Sequence, residues 1–440
     1  MKMKCQSALT TLREMRMYLI LWLTQAFSGL GSAMTRYALV IWSYTQEGSA
    51  LTTALLAVSS YAPYVVCSIF AGALSDRWDK RKTMLVCDAL AAVTTVCTLI
   101  LLKTNLLEVW HLYIINAING LMNTVQGPAS EVATTALLPR KHYQKVGGLN
   151  QLSGSLNGIL TPVLAMAVLG FAGMDGVILF DLLTFATAFL VLLLFIRIPE
   201  GEGTADKQEP LLQAIKEGLR FLMEKRGVLM LILFLAGINF VASMFNAALP
   251  ALVIPKAGEN ALGVLSSFTA VTTLVGSLVA SALPAPRSRV RVICWTLMLS
   301  MSTENFILAF GRSLPVWCIG AFLGWIAIPL LNTNLNAIMR LNVPQEIQGR
   351  VYAARNSLQF FTIPLGYMLG GASVDYLFEP LMALQAQDSL LVRYFGIGKG
   401  SGAACFFAIL GILGVLVCGV FRRNRHIRAM CDEEMLHTTA

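Results

Sequence analysis

The side chains in this sequence that could bind or carry something polar are few, and they sit in runs that are otherwise apolar. One run carries Gln25, Ser28, Ser32 and Arg36 at spacings of three and four. A second carries Asn116, Asn119, Asn123 and Gln126, a third Asn239, Ser243 and Asn246, and a fourth Asn332, Thr333 and Asn336. At 3.6 residues per turn, each set falls largely on one helical face. A polar side chain in hydrocarbon is costly, so such a face turns toward a bundle interior or toward water. Two uses are open. The faces line a shared cavity, with Gln25, Ser32, Arg36, Asn116, Asn119, Asn123, Asn239, Ser243, Asn246, Asn332 and Asn336 as candidate contacts to a small-molecule substrate. Alternatively, they hydrogen-bond helix to helix, at about 1 kcal/mol per contact.

The charged residues in these runs are rarer still. Arg36 costs at least about 2.5 kcal/mol near a bilayer centre. It either snorkels outward or stands in the cavity, paired with a carboxylate or with an anionic group on the substrate. Glu304 lies near the middle of its run and Asp181 a turn or two inside another. A carboxylate in a low-dielectric interior can take up and release a proton, so Asp181 and Glu304 are candidates for proton coupling. Structural pairing is the other use of either. Asp88 and Glu131 lie nearer to the ends of their runs. No catalytic set and no metal site are expected: the four His are dispersed, and the nine Cys are scattered without a C-x-x-C. No cofactor is expected either. The nucleotide-binding pattern G-x-x-x-x-G-K-[ST] does not occur, which argues against direct ATP hydrolysis.

The elements that must hold these residues follow from composition. Hydrophobic residues make up 56% of the chain and charged residues only 13%, against roughly 25% charged in soluble domains. Lipid must be the solvent. A helix needs about 20 apolar residues to cross the hydrocarbon layer, and the alternation expected of a β-barrel is missing; Val177 to Ile198, for example, is apolar all round. We place twelve spans near residues 17–44, 50–74, 82–103, 108–135, 146–171, 175–197, 227–252, 262–284, 290–311, 314–339, 350–375 and 400–421. The first is too long for a signal peptide and has no cleavage site after it. The four polar faces then belong to spans one, four, seven and ten, one from each group of three. Spans five, eight and eleven are also rich in Ser, Thr and Asn, which keeps the hydrogen-bonding use open.

Lysine and arginine alternate with this topology. Of the 33, only Lys103, Lys256, Arg312, Arg393 and Lys399 fall on one side, and only Arg36 within a span. The basic side should be cytoplasmic, with both termini on it, in the plasma membrane of a bacterium. That asymmetry accounts for the net charge of +9 without a nucleic-acid partner. A polar stretch from about Pro199 to Gln213 divides the chain. The expected organisation is a six-helix bundle over 1–198, a cytoplasmic central loop over 199–226 and a second six-helix bundle with a cytoplasmic tail over 227–440. Leu211 to Lys225 reads as an amphipathic surface helix. A weak repeat relates the halves. Pro139-Arg140-Lys141 precedes span five as Pro344-Gln345-Glu346 precedes span eleven, and each span holds a proline, Pro162 or Pro364.

The connection between spans two and three reads Gly72-Ala73-Leu74-Ser75-Asp76-Arg77-Trp78-Asp79-Lys80-Arg81-Lys82. It resembles the signature of the major facilitator superfamily, G-x-L-a-D-r-x-G-r-k. Gly72, Leu74, Asp76, Arg77, Lys80 and Arg81 match in kind, and Asp79 stands where the pattern has glycine. The resemblance implies an all-α fold of twelve transmembrane helices in two six-helix bundles. It implies that Asp76 faces the N-terminus of span eleven near Gly349, that Lys80 or Arg81 pairs with Glu131, and that these contacts latch the cytoplasmic side; setting topology is the other use of the basic residues. Within the superfamily the chain is most similar to the macrolide-efflux-like drug exporters. The residues that carry this are Gly29 to Ser32, Gln126 to Ala129, Gly349 to Val351, Pro364 to Gly366 and Asp375 to Pro380. Two departures stand out. Span four lacks the arginine of other drug–proton antiporters, and Asn157-Gly158 with Pro162 is only part of the antiporter motif of span five. Proton coupling is thus expected from the resemblance alone.

The function expected is a monomeric secondary transporter that exports amphipathic, macrolide-like molecules by alternating access, driven by protons. A lysophospholipid or nutrient transporter of the same fold is the alternative. A membrane-embedded enzyme or a non-transporting sensor is the alternative from another class. The enzyme would need clustered His or acidic motifs at a membrane face, and the sensor an added soluble domain; neither is found.

Overall fold

The apolar runs form helices, and no strand occurs among the described residues. The computed structural model describes residues 15–136, 143–196, 211–284, 286–343 and 348–430. With no water to satisfy a backbone in lipid, each run bonds internally. The chain divides into two compact units, one of Met1–Val40 with Ser59–Glu209, the other of Ile41–Val58 with Pro210–Ala440.

The first unit is built from α1 (Arg16–Glu47), α2 (Ala50–Arg77), α3 (Lys80–Lys103), α4 (Val109–Ala136) and α5 (Tyr143–Leu194), with Ile41–Val58, the end of α1 and the start of α2, belonging to the second unit. Asp79 starts α3 by accepting the backbone N–H of Lys82 at 2.9 Å, which satisfies one of the four N–H groups a helix start leaves unpaired. The long α5 holds two arms broken at Gly173 (φ 65°, ψ −170°), a conformation essentially reserved for glycine. Two apolar clusters fix α1. Leu30, Met34 and Ala38 pack with Ala165 and Val177 of the two α5 arms. Leu21 packs with Met84 of α3, Ala129 and Ala133 of α4, and Leu192. The face of α1 that carries Gln25, Ser32 and Arg36 is left to the interior.

The second unit contains α6 (Leu211–Glu224), α7 (Arg226–Ala257), α8 (Glu259–Ala282), α9 (Arg289–Phe310), α10 (Leu314–Trp325), α11 (Ile328–Asn342), α12 (Gln348–Phe360), α13 (Thr362–Ser373), a wide π-type turn over Val374–Phe378, α14 (Glu379–Ala383), α15 (Leu390–Phe395) and α16 (Ser401–Arg423). The amphipathic α6 buries Leu222 against Val228, Ile232, Met339, Val343 and Val351 and exposes Lys216, Glu217 and Arg220. A larger cluster joins Leu231, Phe234 and Ile238 of α7 to Ile293 and Leu297 of α9 and to Leu335 and Ile338 of α11.

Among the described residues, eight helical segments are long and apolar enough to cross a membrane. One of them, Leu152–Leu194, has 43 residues, about twice the length one crossing needs, and it holds spans five and six. Outside the eight are α1 and α4, which carry polar faces, and the pair α12 and α13, each too short alone. With these the crossings number twelve. Span ten runs through as the sequence suggests, over Leu314–Met339, and the backbone stays right-handed helical at the joints between α10 and α11 (Ile326 φ −58°, ψ −33°; Ala327 φ −96°, ψ −7°) and between α12 and α13 (Phe361 φ −62°, ψ −23°). Pro329 and Pro364 follow these joints, where each lacks the N–H of one helical hydrogen bond.

Candidate functional site

A cavity of about 330 Å³ opens within the first unit, walled by α1, α3, α4 and the second arm of α5. Its size falls in the range of small-molecule sites, roughly 300–1,000 Å³. Six of the expected contacts line it: Gln25, Ser32 and Arg36 from α1, and Asn116, Asn119 and Asn123 from α4. Gly31 allows α1 to approach α5 here, since a Cβ at that position would lie 2.4 Å from Thr184 Oγ1 and 3.0 Å from Asp181 Cα. That approach lets Ser32 Oγ donate to Asp181 Oδ1 at 2.9 Å. Thr94 Oγ1 of α3 donates to Asn119 Oδ1 at 3.2 Å. Ile115, Met122 and Phe185 supply apolar wall.

Three ionisable side chains face this space: Arg36, Asp88 and Asp181. Arg36 is exposed and lines the cavity. It interacts electrostatically with Asp181, although the two do not come within 4 Å as an ion pair. Asp88 is the lining residue that sequence reasoning passed over as a helix-end carboxylate. Gln126 Nε2 of α4 donates to its Oδ1 at 2.6 Å and Gln25 Nε2 of α1 to its Oδ2 at 3.4 Å, so one carboxylate gathers three helices. The available signal was its position inside span three, past the basic anchors Lys80, Arg81 and Lys82.

The other expected contacts, Asn239, Ser243, Asn246, Asn332 and Asn336, belong to the second unit and do not line this cavity. Asn239 Nδ2 donates to the Gln359 carbonyl at 3.1 Å and links α7 to α12. Ser243 Oγ and Asn246 Nδ2 bond back to the carbonyls of Asn239 and Ala242 in their own helix. Asn332 and Asn336 are exposed. Of the two candidate proton carriers, Asp181 faces the cavity. Glu304 is buried in the second unit, where Trp325 Nε1 donates to its Oε1 at 2.9 Å and Gly324 leaves room for its carboxylate.

In the basic motif, Gly72, Leu74, Asp76 and Arg77 fall on the last turns of α2. The side chains of Leu74, Asp76 and Arg77, and that of Glu131, lie outside the described ones. Lys80 Nζ donates to the Trp78 carbonyl at 2.9 Å. Arg81 donates to the carbonyls of Leu192 and Leu193 at 3.4 and 2.5 Å, where the end of α5 leaves acceptors unpaired and the helix dipole is negative.

The family described as the Major Facilitator Superfamily matches residues 21–367. Macrolide efflux protein A of Streptococcus pyogenes is 24% identical over 371 residues, covering 82% of this chain and 90% of that protein. Multidrug efflux pump Tap of Mycolicibacterium fortuitum is 24% identical over 365 residues, covering 79% and 87%. Among solved structures, a variant of the nucleoside transporter NupG superposes with a TM-score of 0.70 at 12% identity, covering 92% of this chain and 99% of that one. A POT family transporter in complex with a thioalcohol-conjugated peptide gives 0.67 at 14%, covering 91% and 94%. At such identities these structures speak for the fold alone. Twelve helical crossings, a polar cavity inside an apolar bundle and a family match over most of the length agree, and the chain belongs to the Major Facilitator Superfamily, as a membrane transporter and not an enzyme.

Proposed function

We propose that this transporter is a secondary exporter of amphipathic small molecules, of the kind that the names macrolide efflux protein and multidrug efflux pump describe in its relatives. The observation that carries the reading is the cavity of the first unit. Polar side chains at helical spacing and apolar wall residues share one space, which suits a molecule with a polar group on an apolar body. In this reading Gln25, Ser32, Arg36, Asn116, Asn119 and Asn123 contact the substrate from one half of the molecule, and Asn239, Ser243, Asn246, Asn332 and Asn336 serve the other.

The two halves, 1–198 and 227–440 joined by the loop 199–226, alternate access to the two sides of the plasma membrane as a monomer with both termini cytoplasmic. Gly72, Leu74, Asp76, Arg77, Lys80, Arg81 and Glu131 form the cytoplasmic gate. The proton gradient supplies the driving force, through Asp181 at the cavity wall or through Glu304. The position of Asp181, on the cavity and bonded to Ser32, favours it over Glu304, which is enclosed with Trp325.

The test is accumulation of a labelled macrolide, a cationic dye and a lysophospholipid in cells that express the protein, with and without a protonophore. Lower accumulation of the macrolide or the dye, restored by the protonophore and by Asp76→Ala, is expected. Higher accumulation in expressing cells would reverse the direction, and an effect on the lysophospholipid alone would move the substrate class to lipids.

A further inference from the structure

We infer that Asp88 is the residue that selects for a positively charged group on the transported molecule, an inference that rests on the cavity being the substrate site. It has two carboxylate oxygens, each held by an amide: Gln126 on Oδ1 and Gln25 on Oδ2. These donors come from α4 and α1, on either side of α3, and they aim the carboxylate into the cavity that all three residues line. Neither amide carries charge. Among the described residues no cation lies within 4 Å of Asp88. A carboxylate accepts at about four lone-pair positions, so two remain for a ligand.

The charges of the cavity are unequally placed. Arg36 stands three turns beyond Gln25 on α1, about 16 Å along the helix axis. It shares its end of the cavity with Asp181, which Ser32 of α1 holds at its Oδ1. That end carries one charge of each sign. The Asp88 end has an excess negative charge in surroundings where charged side chains are normally paired. A cationic group on the ligand supplies the missing partner. The apolar body that carries it has Met122 and Ile115 of α4 to lie against, and the unbranched Met122 adapts to different shapes. The two glutamines are positioning residues: their amides orient the carboxylate and leave its charge uncompensated. The recognition chemistry is thus a monocation attached to an apolar framework.

Tetraphenylphosphonium and tetraphenylborate have the same shape and opposite charge, which makes them the direct probe. Their equilibrium binding to the purified full-length chain in nanodiscs is measured above partition into protein-free discs. Wild type is expected to bind the phosphonium at least about tenfold more tightly than the borate. Asp88→Asn should remove that preference, and Asp88→Glu should keep most of it. Gln126→Leu retains the charge without its tether and should lie between.

Equal binding of the two probes by wild type overturns the inference, a comparison that needs no variant to fold. Wild-type affinity for the phosphonium in Asp88→Asn overturns it as well. Asn123→Trp fills the cavity without changing its charge. If Asn123→Trp abolishes phosphonium binding while Asp88→Asn does not, the assignment of Asp88 fails and the cavity stands. If Asn123→Trp binds like wild type, the cavity reading fails with it.

Discussion

Asp79 stands at a position where the superfamily pattern carries glycine, and its backbone is extended (φ −60°, ψ 118°), a conformation open to any residue. Its side chain accepts the Lys82 N–H, and its carbonyl accepts Thr83 Oγ1 at 2.8 Å. The substitution therefore adds a helix cap to a tight connection. Asp79→Ala should lower stability by about 1 kcal/mol, whereas Asp79→Gly should cost only a few tenths, and thermal unfolding of the purified protein in detergent would show that order. The same scale shows what was legible before the structure. Gln25, Ser32 and Arg36, and likewise Asn116, Asn119 and Asn123, announce a shared face because they repeat at helical spacing. Asp88 and Asp181 do not repeat. Asp88 is the one carboxylate of α3, and Asp181 shares the second arm of α5 only with Asp175 near its start; only the packing of α1 against α3, α4 and α5 gives Asp88 and Asp181 a common cavity. Glu304 shows the opposite case: its chemistry attracts notice in sequence, yet its neighbours are an indole N–H and the bare backbone of Gly324.

At the scale of elements, the segment from Asp375 to Pro380 entered as a family resemblance and acquires a mechanical role. Asp375 accepts Ser49 Oγ at 2.6 Å and the N–H groups of Ala50 and Leu51 at 3.0 and 2.8 Å, so it caps α2 from a distant part of the chain. Glu379, across the π-type turn, accepts the N–H groups of Gly400 and Ala403 at 3.0 and 3.1 Å and caps α16. Both carboxylates sit at positive helix ends. Asp375→Ala strands three donors at once, and a loss of about 1–3 kcal/mol is expected; Asp375→Asn, which retains one acceptor oxygen, should lose less. Differential scanning of the two variants beside wild type would check the order. Helix positions were legible from runs of apolar residues, and the amphipathic α6 from its alternating faces. The two carboxylate caps were not. Composition alone does not reveal a cap that depends on a residue more than three hundred positions away.

For the whole molecule, polarity and topology are two views of one constraint. In the expected topology most of the basic residues fall on one side of the spans, and in the first unit the polar side chains of α1 and α4 gather on faces that line a cavity, because neither is stable in hydrocarbon. The first unit shows the result: apolar clusters tie α1 to its neighbours, and the polar remainder forms the wall of a cavity. The central claim is that this cavity is where the transporter holds what it moves. The direct test is flux of a radiolabelled macrolide or tetraphenylphosphonium in proteoliposomes under an imposed pH gradient, with wild type compared to Asn123→Trp. Gradient-dependent flux in wild type, lost in Asn123→Trp at an unchanged thermal midpoint, is the predicted result; flux in Asn123→Trp equal to that of wild type would contradict it.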